Sequence, residues 1–388
     1  MPDGEPKQLY LFSTQFNYFG QRTHSGVSLI DWFDNRIELK TQSQVIELEL
    51  EATETQEYRC KAVHVKYLDT GETDSFFLKE GGKVILCAGA ATPQLLMPHR
   101  EKLNNPEIGK YVNDHMIIPL GIYLLNKNLK VTPKDNYAPI FATTVWQPET
   151  GESGAETVCT FEFFAGNFER LWFFISHLYL AFLLPNWIKK RMLQTPSLFN
   201  LYKRIRLVIE KINSWLNLWE RIELITVSLK FNPVTEGEYL RENNRINLGF
   251  FEANQDSQVA KEMITQILSL MDKLGDKPHW LVRLIFWFVG IPFNKNQVNQ
   301  YIERYSKRYL LSQQHLAGGC LFGKAIDKGI DNPEHTGKVY GLTNLHVADL
   351  SASPLPRVSS QMTAYLIGFH VATQLSLAKI QKTEQPLA

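Results

Sequence analysis

The sequence predicts an α+β fold, and three features of its hydrophobic patterning support this prediction. Segments that alternate apolar and polar residues, with a turn at Asp69-Thr70-Gly71, predict an antiparallel β-meander over residues 36–76. An apolar run that leads into a helix start predicts a strand–turn–helix unit over residues 83–96. Apolar residues at helical spacing predict long helices over Ser257–Leu274 and Thr363–Leu377.

The composition is that of a globular protein without a strong net charge. Hydrophobic residues make up 44% and charged residues 21% of the 388 residues, and the length predicts two packed domains. The 41 basic and 40 acidic residues give a net charge of +1, which argues against a nucleic-acid partner. The first residues lack the pattern of a signal peptide, and the four cysteines form no CxxC pair. We therefore expect reduced thiols and a cytoplasmic location.

The local elements follow from the same patterning. The predicted strands of the meander are Arg36–Lys40, Val45–Glu51 and Ala62–Tyr67. In the strand–turn–helix unit, Gly89 follows the apolar run, and we expect Thr92 to cap a helix that begins with Pro93. Glycine at such a turn lets the backbone approach a ligand closely.

The middle of the chain changes character twice. Residues 115–160 and 223–253 are strand-like, whereas residues 161–222 are rich in Phe, Trp and Leu with Lys and Arg between them. Near the end of the chain, the segment Val339–Val347 predicts one more strand before the last helix.

Four distant segments together resemble one family. They are the run VILCAGAATPQLL, the run IGKYVNDH, the run HLAGGCLFG, and GLTNLHVADLSASPLP with SSQMTAYLIGFHVA after it. In sequence and in order these runs resemble the signatures of the glucose-methanol-choline (GMC) oxidoreductases. The resemblance covers roughly residues 20–120 and 225–380. The pyranose oxidases are similar in the same places.

The resemblance implies an architecture and a cofactor. It implies an α/β flavin-binding domain remnant plus an antiparallel β-sheet substrate domain with helices, FAD as the cofactor and no metal. Residues 1–115 would form a partial FAD-binding domain with the β-meander. Residues 116–310 would form the substrate-binding domain with the aromatic and apolar insertion 161–222. Residues 311–388 would form the C-terminal catalytic and FAD-binding segment.

The resemblance also implies the chemistry, which is oxidation of an alcohol CH–OH group. A base removes the hydroxyl proton while hydride passes to flavin N5, and His315 matches the position of that base. Imidazole suits this role because its unperturbed pKa is about 6.5. Gly318 and Gly319 would let the backbone pass the flavin ring. The alternative is a polar loop histidine before a glycine turn, and for His115 we weigh an approach to the active site against simple packing.

Further site residues follow from the same match. Family members place a histidine or asparagine near the start of the last helix, where this sequence has Ser359 and Ser360. These serines are candidate catalytic residues, because a hydroxyl can donate to an alkoxide, and the alternative is that they cap the helix. The residues expected to contact FAD are Val45, Gly89, Asp349, Leu350, Gln361 and Met362. The alternative for Asp349 is a turn aspartate that bonds its own backbone.

One family signature is missing from the sequence. No strand–GxGxxG–helix segment, which would bind the FAD pyrophosphate, occurs in it. We therefore expect a chain truncated at its N-terminus or one half of a split enzyme, with weak flavin binding on its own. The rival interpretation is a non-catalytic GMC-like protein or a membrane-associated binding remnant.

Two aromatic segments predict a surface function. Residues 171–187 contain an apolar run too short to span a membrane, with basic residues after it, and residues 280–288 are similar. Aromatic residues interleaved with Lys and Arg are typical of peripheral membrane contact. We expect a lid or dock that admits an apolar alcohol, such as a long-chain or terpenoid one, and the alternative is a buried pair of helices.

Overall fold

The chain forms two compact units in a computed structural model. The residues described are 8–10, 37–124, 140–146, 157–166, 224–240, 245–273, 295–305, 311–312, 314–357 and 360–384, with seven single positions between 191 and 211. Unit 1 comprises residues 1–28, 116–231 and 253–311, and unit 2 comprises residues 29–115, 232–252 and 312–388. Residues 232–252, which the sequence analysis assigned to the substrate-binding domain, thus belong to the unit that holds residues 29–115 and 312–388.

The described part of the chain contains both sheets and helices, as the predicted α+β class requires. The strands are β1 Gln8–Tyr10, β2 Ser43–Ala52, β3 Tyr58–Tyr67, β4 Thr73–Phe77, β5 Val84–Leu86, β6 Lys110–Val112, β7 Met116–Leu124, β8 Ile140–Trp146, β9 Thr157–Gly166, β10 Leu224–Phe231, β11 Gly237–Leu240, β12 Arg245–Asn247, β13 Leu311–Ser312 and β14 Leu345–Val347. The α-helices are α1 Ala91–Leu96, α2 Asn254–Lys273, α3 Val298–Tyr305 and α4 Ser360–Glu384.

Unit 1 is built on one large sheet. Its strands have the order β1-β8-β9-β10-β7-β13, and β7, β8, β9 and β10 pair antiparallel. Helix α2 packs against β10 and α3. Its buried side chains include Val259, Met263, Ile264 and Ile267, which recur at helical spacing on one face and therefore form the core side of the helix.

Unit 2 contains the predicted meander, with strand order β2-β3-β4 and antiparallel pairing throughout. The prediction of a further strand at Arg36–Lys40 is wrong for residues 37–40, which form no strand. Ile37 and Leu39 are about half exposed, at 51% and 52%, so no core lies against the apolar side of their alternation. Alternation predicts a strand only where one face of the segment is buried.

Unit 2 also contains a short parallel pair of strands, β5 and β14. The strand predicted over Val339–Val347 forms only at β14, because the chain turns at Gly341, which has a φ of +84°. The turn folds Val339 back so that its N–H donates to the Leu345 carbonyl. The apolar residues of this segment are buried all the same, and Val339, Leu342, Leu345 and Val347 belong to the core.

The start of α1 differs from the predicted cap. The helix begins at Ala91, Ala90 precedes it without a side-chain cap, and Thr92 and Pro93 lie within its first turn. The Thr92 hydroxyl instead accepts from the Ala88 N–H at 3.1 Å and donates to Asp349. Thr92 therefore does not act as the helix cap, and its hydroxyl bonds the helix to Asp349 in another segment of the unit.

Helix α4 is longer than predicted at both ends. It buries Ile367, Val371 and Ala378, while Met362, Leu366 and Phe369 are exposed. Across the part of the chain that the structure describes, no helix combines the length and the hydropathy needed to cross a bilayer. Residues 171–187 and 280–288 lie outside the described residues, so the predicted membrane contact stays a prediction.

Candidate active site

The loop that carries His315 is bonded to two other segments of unit 2. Ala317 exchanges two backbone hydrogen bonds with Asn113, at 2.9 and 3.0 Å. On the other side, Gly318 and Cys320 donate their N–H groups to the carbonyls of Leu350 and Ser351, at 3.3 and 3.0 Å. Three of the four motifs, although far apart in sequence, therefore meet at one loop.

His315 faces a second histidine. Its Nδ1 lies 3.1 Å from Nδ1 of His115, and the two rings are nearly perpendicular, with centroids 5.3 Å apart. His115 is fully buried and His315 is half-buried. Nε2 of His115 lies 2.9 Å from the carbonyl oxygen of Pro356. The contact with His315 places His115 beside the candidate base, and its role there stays a prediction.

Asp114 holds the backbone at His315. One of its carboxylate oxygens accepts from the His315 N–H at 3.0 Å, and the other accepts from the Gln314 N–H at 3.2 Å. The Asp114 side chain is fully buried. A buried carboxylate that accepts backbone N–H bonds fixes the start of the loop and compensates part of its own desolvation.

The two glycines after His315 serve the packing of the loop. Both have positive φ, +80° for Gly318 and +94° for Gly319. A Cβ at Gly318 would lie within 2 Å of the Tyr111 carbonyl oxygen, and one at Gly319 would lie 2.5 Å from a ring carbon of Pro93. The close approach of β6 to Gly318 and of α1 to Gly319 explains why both residues are glycines. The expected passage of a flavin ring at these positions stays a prediction.

Asp349 joins the ends of the parallel strands. It follows β14, and its carboxylate accepts from the Gly89 N–H at 2.9 Å, from the Thr92 hydroxyl at 2.5 Å and from the Ser351 N–H at 2.8 Å. The bond from the Ser351 N–H, two residues along the chain, is the one expected from the alternative of a turn aspartate. The other two bonds go further, because they fix the β5–α1 turn against the segment after β14.

The β5–α1 turn has the open surface that a flat cofactor needs. Gly89 has a φ of +58°, and a Cβ at this position would meet nothing within 4 Å. Ala88 and Ala91 beside it are exposed and carry only methyl groups. In parallel sheets, ligands bind beyond the carboxyl ends of the strands, which is where this turn lies. The residues present therefore fit one side of an FAD site.

The remaining predicted cofactor residues occupy different places in unit 2. Val45 is in β2 and pairs with Val65 just before a bulge. Leu350 is buried in a 3-10 turn, and its carbonyl accepts from Gly318. Gln361 lies in the first turn of α4, where Nε2 donates to the Tyr365 hydroxyl at 3.4 Å, and Met362 is 60% exposed.

The two candidate serines differ in what can be said of them. Ser360 is the first residue of α4 and is buried, with 9% of its surface exposed. Ser359 lies outside the described residues. A capping residue precedes the first residue of its helix, so the position of Ser360 within α4 does not decide between the capping and the catalytic role.

Burial suppresses the reactivity of other polar groups near this loop. It raises the pKa of the Cys320 thiol, which lies five residues after His315. It also raises the pKa of the Tyr239 hydroxyl, which donates to the Ala90 carbonyl at 2.6 Å. Among the described residues, no group of three or more His, Cys, Asp or Glu side chains could hold a metal ion.

Sequence reasoning missed three parts of this site. The roles of Asp114 and of the Pro356 carbonyl were not predicted, and His115 was left open. The signal for the first was present, because Asn113, Asp114 and His115 are consecutive and stand in a family-like motif. A carbonyl acceptor such as Pro356 carries no signal in the sequence, since every residue has one.

Comparisons with known proteins agree with the resemblance. A family model described as GMC oxidoreductase matches residues 238–368, which run from β11 into α4. A protein of Acanthamoeba polyphaga mimivirus, described as a truncated GMC-type inactive oxidoreductase, is 38% identical over 76 residues. That match covers 19% of this chain and 86% of the viral protein.

Solved structures with a similar fold are longer than this chain. A formate oxidase is 18% identical with a TM-score of 0.53, over 86% of this chain and 60% of its own. An FAD-dependent oxidoreductase from Chaetomium thermophilum is 15% identical with a TM-score of 0.53, over 92% and 65%. A fungal aryl-alcohol oxidase is 15% identical with a TM-score of 0.50, over 93% and 65%. At these identities the likeness concerns the fold.

Proposed function

Because this chain belongs to the GMC oxidoreductase family, whose cofactor is FAD, we propose that it serves in the oxidation of an alcohol CH–OH group. The observation that carries the proposal is the position of His315. This half-buried imidazole lies against the buried His115, and Asp114 holds its backbone. A titratable group fixed by neighbours of this kind is suited to a proton transfer.

His315 is the proposed general base. It takes the proton of the substrate hydroxyl as the C–H bond breaks, so the alcohol loses one proton to imidazole and one hydride to the oxidant. FAD, when bound, supplies the acceptor for that hydride. The backbone bonds from Gln314 and His315 to Asp114 keep the imidazole in place during the reaction.

The proposed cofactor contacts fall into two groups. Gly89, with its open surface, would lie against the cofactor directly, and Val45, Leu350, Gln361 and Met362 are proposed as further contacts. Asp349 would act differently, because Gly89, Thr92 and Ser351 already donate to its carboxylate. We assign it the task of holding the cofactor-binding turn in shape.

A second polar group near the substrate oxygen is proposed at Ser360 or Ser359. A serine hydroxyl can donate to a developing alkoxide, although it is shorter than the usual histidine or asparagine and carries no charge. Ser360, at the first turn of α4, is the one of the pair with a described position.

Replacement of His315 tests this function. The chain is assayed with saturating FAD, a panel of primary and secondary alcohols and an artificial electron acceptor. We expect His315→Ala to slow turnover at least about a hundredfold, the scale of a lost general base. His370→Ala, which changes an exposed histidine of α4, is the matched control and should keep the wild-type rate. Equal turnover of the His315→Ala variant and the wild type would refute the proposed base.

A second candidate function is a non-catalytic role for the same fold. It is favoured by the description of the viral relative as inactive. The same assay separates the two candidates. Alcohol-dependent, FAD-dependent turnover by the wild type excludes the non-catalytic role, and its absence over the whole panel supports that role.

A further inference from the structure

The histidine pair contains a definite order of hydrogen-bond donors and acceptors. Nε2 of His115 lies 2.9 Å from the Pro356 carbonyl oxygen, and Nδ1 of the same ring lies 3.1 Å from Nδ1 of His315. A carbonyl oxygen can only accept a hydrogen bond, so Nε2 of His115 must carry a proton. Because Nε2 of His115 carries a proton, the protonation of the other three ring nitrogens can be worked out from it.

From this order we propose that His115 is a positioning residue that fixes the tautomer of His315. A neutral imidazole has one N–H and one lone pair, so neutral His115 presents its lone pair at Nδ1. That lone pair accepts from Nδ1–H of His315, which leaves the lone pair of His315 at Nε2. The nitrogen on the far side of the ring from His115 is thereby the one able to take a proton.

The Nδ1–Nδ1 contact limits where the protons of the pair can lie. The His115 side chain is fully buried, and its Nδ1 faces another imidazole. Two protonated nitrogens cannot face each other at 3.1 Å without repulsion, so one of the two Nδ1 atoms carries a lone pair.

Both ends of this chain of hydrogen bonds are anchored. The Asn232 amide donates to the carbonyls of Leu355 and Pro356, at 3.3 and 3.5 Å, which places the acceptor for His115. At the other end, Asp114 accepts from the backbone N–H of His315 at 3.0 Å. The arrangement therefore selects one tautomer as well as one ring position, which is the task of a residue that orients a base.

The tautomer can be measured without cofactor or substrate. The full-length chain is labelled with 15N-histidine, and two-bond 1H–15N correlation spectra are recorded at about pH 8, above the unperturbed imidazole pKa of about 6.5. We expect His315 to show a protonated Nδ1 and an unprotonated Nε2, and His115 the reverse. Spectra of His315→Gln and His115→Asn assign the two rings. A protonated Nε2 on His315 would overturn the inference.

Two substitutions of His115 separate tautomer control from packing. In His115→Asn the amide oxygen can take the place of Nδ1 and still accept from His315. In His115→Gln the amide NH2 can take the place of Nε2, which keeps the bond to Pro356 but removes the acceptor. We expect His315 to keep its Nδ1–H tautomer in the Asn variant and to become a mixture of tautomers in the Gln variant.

The kinetic result should follow the tautomer. With saturating FAD, the Gln variant should lose about tenfold in kcat with little change in KM, and the Asn variant should stay near the wild type. Equal tautomer populations in the two variants would contradict the inference, and if neither variant folds, the wild-type spectrum alone decides. The catalytic consequence of the tautomer rests on the proposed function of His315 as the base. An active His315→Ala variant with the expected wild-type spectrum would refute the base and leave the tautomer assignment standing.

Discussion

Asp349 ties the proposed cofactor turn to the segment after β14. Its carboxylate serves three donors, the N–H groups of Gly89 and Ser351 and the hydroxyl of Thr92. It is buried, so any donor that loses its acceptor here also loses access to water. The shape of the turn should therefore depend strongly on this residue.

We expect Asp349→Asn to destabilise the chain by about 1–3 kcal/mol. The amide NH2 of asparagine is a donor, so it would replace an accepting carboxylate oxygen and leave one of the present donors without an acceptor. Urea unfolding followed by circular dichroism measures the change. Asp331→Asn, at an exposed position of the same unit, is the control and should stay within about 0.5 kcal/mol of the wild type. A loss at Asp349 no larger than at Asp331 would show that the turn holds its shape without the carboxylate.

His346 gives the fold a dependence on pH. Burial lowers the pKa of this histidine, whose Nδ1 lies 3.0 Å from the Thr336 carbonyl. The unfolded chain therefore takes up a proton at a higher pH than the folded chain does, and stability should fall as the pH drops below about 6.5. In His346→Asn this part of the dependence should disappear.

The measurement compares the free energy of unfolding at about pH 8 and about pH 5 for both proteins. Burial also lowers the pKa of His99, so the variant should keep a smaller loss of stability in acid. If the wild type and the variant lose the same free energy between the two pH values, His346 does not titrate as its burial requires.

At the scale of residues, the sequence predicted His315 but not its partners. The two histidines are 200 positions apart, and no periodicity relates them. Only the folded contact of the Asn113–His115 segment with the His315 loop brings them together. The acceptor for His115 is a backbone carbonyl, which no residue type encodes.

At the scale of elements, prediction succeeded where hydrophobic periodicity is long. The meander and helices α2 and α4 were predicted because their apolar residues repeat over several turns or strands. It failed at residues 37–40, where two apolar residues alternate without a core to cover them. It also failed at the start of α1, where Thr92 bonds a residue that is remote in sequence.

Helix α4 offers a test of which face carries its stability. Val371 is fully buried and Phe369, two residues earlier, is 74% exposed. We expect Val371→Ala to cost about 2 kcal/mol through the lost burial and the cavity, and Phe369→Ala to change stability by less than about 0.5 kcal/mol. Urea unfolding of the two variants provides the comparison. A larger loss for Phe369→Ala would mean that the exposed face is covered in solution.

At the scale of the whole molecule, the family was predictable because four short motifs occur in order along the chain. The family model and the viral relative confirm that prediction, and the mixed sheets and helices confirm the predicted α+β class. Composition and charge contributed little, because they describe most globular proteins equally well. The place of residues 232–252 in unit 2 was not predicted, because the pairing of β11 with β6 joins segments that are remote in sequence.

The fold also explains why the motifs lie where they do. The segments after β5 and β14 meet through Asp349, and the His315 loop bonds to the Asn113 segment and to the residues after Asp349. The proposed proton acceptor and the proposed cofactor turn are thus parts of one bonded arrangement within unit 2.

The most direct test is a single-turnover experiment on the central claim that His315 takes the substrate proton. The chain, loaded with FAD, is mixed anaerobically with an alcohol that supports turnover, and loss of the flavin visible absorbance is followed. We predict that His315→Gln reduces its flavin at least about a hundredfold more slowly than the wild type. Reduction at the wild-type rate in this variant would contradict the claim.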